Sequence, residues 1–141
     1  MSRMLPVRIG DIKEQLGCLR LFYEDPARIF ASPFVRPEDV PRLEGVVDSC
    51  KLCGRTRGPI ELSEVVGAYF AGAYQGNLLW LLDTLERLAG RFRIDNAAIP
   101  ASYFDLTDGC TRRCKECGVC AQLAADLVRD QSPTLSKMRE Q

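Results

Sequence analysis

At 141 residues the chain is long enough for one domain with a modest core and too short for a large enzyme barrel with anything beside it. Its 19 basic and 19 acidic residues cancel, which excludes a global field drawing it to nucleic acid or an anionic membrane and leaves steering to local patches. Histidine is absent, so the commonest general base near neutral pH and the commonest nitrogen ligand are both missing, which counts against an ordinary hydrolase.

The first nine residues hold no apolar run of signal-peptide length, which points to a cytoplasmic protein with reduced cysteines. Asp11 followed by Glu14 resembles a capping box, and Ile12, Leu16, Leu19 and Tyr23 recur at helical spacing until Asp25-Pro26. Cys18 lies off that stripe and is read as a packing residue or spare thiol. Prolines 26, 33, 37 and 41 punctuate a turn-rich connector. Pro37-Glu38-Asp39 has the makings of a helix start, with Val40, Leu43, Val46 and Val47 on one side, and that helix would deliver Cys50 and Cys53 at its C-terminal end.

Ser63 is a candidate cap for the most apolar segment, Val65 to Leu88, of which Val65 to Leu82 carries no charge. Gln75, Gly76 and Asn77 interrupt it and Asp83 and Glu86 follow, so a buried helix is expected rather than a membrane span, with a break at Gly76-Asn77 and a stop at Gly90. Gly72 and Gly76 would let a second helix come close. A short strand is expected around Tyr103 to Leu106. Leu123, Leu127 and Val128 mark a C-terminal helix beginning near Gly118, and residues 131–141 a mobile tail behind a single domain of 1–130. The fold class is therefore mainly α, about four to five helices with a cysteine-rich metal-binding loop before the last.

That loop carries the chemistry. Cys110-x3-Cys114-x2-Cys117-x2-Cys120 places four of seven cysteines within eleven residues, and Cys50-Lys51-Leu52-Cys53-Gly54 repeats the central Cys114-Lys115-Glu116-Cys117-Gly118. In a reducing setting, clustered Cys-x-x-Cys units with an odd cysteine total signify metal or redox chemistry rather than a disulfide framework. Six thiolates exceed what one tetrahedral metal needs, so two ligand sets compete. Cys110, Cys114, Cys117 and Cys120 would hold a [4Fe–4S] iron–sulfur cluster locally. Alternatively, Cys50 and Cys53 would join two of the later cysteines in a zinc staple. Arg112, Arg113, Lys115, Lys51, Arg55 and Arg57 supply positive charge suited to either.

The spacing Cys110-x3-Cys114-x2-Cys117 is similar to the cluster-binding triad of radical S-adenosylmethionine enzymes. The chain departs from that family in having about two dozen residues after Cys117 and a fourth cysteine, Cys120, where the family leaves an iron site open. These features lead to one expectation: an iron–sulfur protein in electron transfer or accessory to a larger redox enzyme, more a carrier or accessory than an enzyme itself. The partner would be a protein, with nucleic acid a weaker candidate. The competing expectation is a zinc-stapled protein- or nucleic-acid-interaction module.

Overall fold

In the computed structural model, residues 17–132 are described. They form a small mainly α domain around one apolar core, as the periodicities lead one to expect. Helix α1, Cys18–Glu24, ends where Asp25-Pro26 was expected to end it, and buries Leu19. The start of that stripe, including Ile12 and Leu16, lies outside the described residues, as do residues 133–141. Cys18 is exposed, a free thiol rather than a packing residue.

The proline-rich connector contains a short helix, α2, Ala27–Ala31, whose Ile29 and Phe30 are buried at the centre of the molecule. Next comes a 3-10 helix, Pro37–Leu43, in place of the α-helix expected to carry Cys50 and Cys53. Pro41 inside it has no N–H to donate and its ring crowds the preceding turn. Gly45, at φ +78°, then turns the chain away. Val46 and Val47 are consequently exposed, and both cysteines lie in irregular chain beyond.

The apolar segment begins earlier than expected. Helix α3, Pro59–Ala71, starts at Gly58 with proline in its first turn, so Ser63 is inside the helix and caps nothing. It stops at Gly72 in the left-handed conformation, φ +70°. The break foreseen at Gly76-Asn77 is real, and beyond it Leu78–Trp80 and Glu86–Gly90 are 3-10 turns rather than a second α-helix. A Cβ on Gly72 would meet nothing within 4 Å, and one on Gly76 would meet the Tyr74 ring, so neither glycine serves close helix packing.

Strand β1, Phe92–Ile94, pairs antiparallel with β2, Val128–Asp130, Arg93 opposite Arg129. The strand expected at Tyr103 to Leu106 is instead helix α4, Tyr103–Thr107, in which the Thr107 hydroxyl donates back to the Tyr103 carbonyl at 3.0 Å. Helix α5 is the single turn Cys114–Cys117, and α6 spans Val119–Leu127, continuing straight into β2. Helices α2 and α6 pack together, with Leu123 as the buried anchor of α6. Around this seam Phe34 stacks on Tyr103 at 5.2 Å and Phe30 meets its edge at 6.1 Å. The Arg36 guanidinium lies 5.6 Å from the same ring and holds Asp39 with two hydrogen bonds of 2.7 and 2.9 Å. That pair is buried, and removing either partner would strand a charge in the core.

Candidate functional site

Four cysteines lie along the segment where α4 hands over to α6. Asp108-Gly109 closes α4, with Gly109 at φ +68°, and Cys110 begins the turn. Arg112 takes the left-handed conformation at φ +62°, the one non-glycine residue to do so among the described residues. Its N–H thereby donates to the Cys110 sulfur at 3.4 Å. Cys114 and Cys117 open and close α5, and Gly118, at φ +66°, donates its N–H to the Cys114 carbonyl at 3.3 Å and caps α6. Cys120 sits in the first turn of α6, half-buried, while Cys110, Cys114 and Cys117 are exposed.

Cys110, Cys114 and Cys117 each lie within electrostatic reach of Cys120. Burial, and after it the charges of Cys114, Cys110 and Cys117, push the Cys120 thiol above its ordinary value. Cys50 is found elsewhere, acting on Tyr69 together with Glu38 and Asp39. Cys50 and Cys53 are both exposed. All seven cysteines are free thiols. Among the described residues no three Cys, Asp or Glu side chains stand close enough together to hold a metal ion.

A second feature escaped the sequence reading. A recess of about 310 Å³ opens between α3 and the turns after Gly76, lined by Arg57, Glu61, Glu64, Val65, Tyr74, Trp80 and Leu81. Arg57, treated above as a loop charge, has a side chain only 4% exposed. Its Nη1 donates to the Trp80 carbonyl at 2.6 Å, while Nη2 stands 3.1 Å from Glu86 and Nε 3.4 Å from Asp83. Nε, Nη2 and the facing Asp83 oxygen are buried without an aligned hydrogen bond, so this ion pair is held by charge alone. Burial raises the Tyr74 hydroxyl, and Glu64 raises it further. The available signal was Trp80, the only tryptophan of the chain, standing half-exposed in an otherwise buried apolar run.

Among the described residues no helix is long and apolar enough to cross a membrane. No family model matches the chain, and no solved structure matches it. It is 33% identical over 112 residues to a protein of Methanocaldococcus jannaschii named uncharacterized protease MJ1657. The matched stretch covers 79% of this chain and 33% of that protein, so the chain spans about a third of the length of the curated relative it matches. This finding overturns the expectation of an iron–sulfur protein of electron transfer, since the relative bears a protease's name and the thiols are not gathered at metal-holding distance.

Proposed function

We propose that this chain is a peptide-handling domain of a protease-like protein. The observation that carries the reading is the 33% identity to the M. jannaschii protein named as a protease, which extends over most of this chain. The chain brings no histidine, so hydrolysis would draw its general base from a carboxylate, a thiolate or a group outside these 141 residues. Its own contribution is to hold the peptide.

The recess beside Trp80 has the chemistry for that task. Glu61 and Glu64 line it beside Arg57, whose guanidinium is already paired with Asp83 and Glu86. An indole and a phenol wall the same space. Such a pocket favours a basic peptide side chain, whose cation gains from the carboxylates and from an aromatic face.

Titrating the purified chain with fluorescently silent peptides while following Trp80 emission tests the reading directly. Peptides containing Lys or Arg should shift the emission saturably, and Glu64→Gln should weaken their binding several-fold, with peptide-bond cleavage scored in parallel. A chain that neither binds nor cleaves any peptide would overturn the proposal.

A further inference from the structure

We propose that Cys114 and Cys117 are a reversible dithiol–disulfide pair that exchanges with small anionic disulfides, of which oxidised glutathione is the representative. The inference stands on different residues from the peptide reading, and either can fail without the other.

The geometry of α5 carries it. Cys114 and Cys117 are the first and last residues of this turn, and the N–H groups of Cys117 and Gly118 donate to the carbonyls of Arg113 and Cys114 at 3.0 and 3.3 Å. The two cysteines therefore stand three residues apart on one helical turn, a spacing that puts side chains on the same face. Helical rise and radius set their Cα atoms about 5 Å apart, within the span of about 4.4–6.8 Å that a disulfide bridges. The other closely spaced cysteines lack this relation. Gly118, at φ +66°, turns the chain between Cys117 and Cys120, and Arg112, at φ +62°, turns it between Cys110 and Cys114. Cys50 and Cys53 lie in irregular chain, where no helical turn fixes their separation.

Access and charge point the same way. Both thiols are free and exposed, and α5 buries none of its residues. A single turn held by backbone hydrogen bonds alone is marginal in water, so α5 can adjust to a bond across it while Leu123 keeps α6 on the core. Arg112, Arg113 and Lys115 outnumber Glu116 around the pair, and all four are exposed. That local excess draws anionic reagents to the turn and is screened by salt.

The exchange balances in two displacements. The thiolate of one cysteine attacks a sulfur of the incoming disulfide, forming a mixed S–S bond and expelling one small thiolate. The thiolate of the second cysteine then attacks the bonded cysteine sulfur, forming the Cys114–Cys117 bond and expelling the other. The chain gives up two electrons and two protons, the small disulfide becomes two thiols, and excess small thiol reverses both steps.

The test equilibrates the full reduced chain, without oxygen, in buffers of stepped reduced-to-oxidised glutathione ratio, then alkylates the remaining thiols and maps the peptides by mass spectrometry. We expect Cys114 and Cys117 to lose alkylation together and to appear in one peptide joined by a bond, which reduced glutathione reopens. Cys50→Ser, Cys110→Ser and Cys120→Ser should keep that bond. Cys114→Ser and Cys117→Ser should lose it and retain a glutathione adduct on the remaining cysteine, several-fold more abundant than on the unaltered chain. Raising salt should slow oxidation by oxidised glutathione several-fold and leave oxidation by the neutral bis(2-hydroxyethyl) disulfide unchanged. Full alkylation of both cysteines in the most oxidising buffer, a bond mapped to any other pair or between two chains, or a glutathione rate that salt does not change would each overturn the proposal. The mapping on the unaltered chain decides the matter without any variant.

Discussion

Asn77 ties the turn after Gly76 to β1 through its side chain, beside an isolated antiparallel backbone bridge to Asp95. Its side-chain oxygen accepts from Leu79 N–H at 3.3 Å and from Ile94 N–H at 3.0 Å, and its amide donates to the Phe92 carbonyl at 3.0 Å. It thus caps the turn Leu78–Trp80 and holds β1 against it, at 5% exposure. Asn96 works alongside, donating to Glu38 and to the Tyr74 carbonyl, both at 2.8 Å. Asn77→Ala leaves two buried N–H groups and a carbonyl without partners, and we expect a loss of about 2–4 kcal/mol in urea unfolding, larger than for a surface Asn→Ala. Little of this was legible in the chain. Gly76-Asn77 announces a break in an apolar run, but the partners of Asn77 at 92 and 94 are set by folding, not by local spacing. The cysteines misled in the other direction: their closeness along the chain at 110–120 is written in the spacing, yet the fold does not bring three of them to metal-holding distance, and Pro41 denies the segment before Cys50 and Cys53 an α-helix.

Helix α6 is the element on which the cysteine turn depends. Its apolar face meets α2 through Leu123, with Val119, Ala124 and Leu127 packed at the edge of the core. Leu123→Ala removes the buried side chain that anchors the helix and should cost about 2–5 kcal/mol by denaturant unfolding. In hydrogen exchange the same variant should unprotect α6 more than the Asn77 network. Periodicity located this helix well, because Leu123 and Leu127 are local neighbours on one face. It misjudged residues 103–107, where Tyr103 and Phe104 favour a strand by type while the fold buries Tyr103 on one side of a helical turn and lets Thr107 back-bond to its carbonyl. Val128 to Asp130 likewise continue the helical pattern in sequence, yet pair as a strand because β1 presents an open edge.

At the scale of the whole molecule, the buried phenols set the alkaline limit of stability. Burial raises Tyr103 well above its ordinary value near 10, with Cys120 adding to the effect and Arg36 opposing it, and Tyr69 and Tyr74 move the same way. A folded-state value above the unfolded one means that the native chain keeps protons the unfolded chain releases. The stability is therefore fully present below the unfolded tyrosine value, about 10, and declines as pH rises above it. Denaturant midpoints compared at about pH 9 and about pH 11 should fall, and Tyr103→Phe should fall less steeply while losing the 3.3 Å hydrogen bond to the Phe30 carbonyl. If the two chains decline in parallel, Tyr103 is not the group responsible.

The pairing of β1 with β2 has a consequence for the integrity of the protein after damage. Residues 92–94 and 128–130 are fastened on either side of the whole cysteine turn, and Arg91 adds an ion pair to Asp130 at 3.2 Å. A backbone cut between Gly109 and Gly118 would sever the polypeptide without parting it. The C-terminal fragment would stay clasped by its strand and by Leu123, so the nicked molecule would keep its shape as a two-piece complex. For a domain proposed to work among peptide-cleaving machinery, an exposed turn that can be broken without dismantling the fold confers tolerance that a buried connection would not.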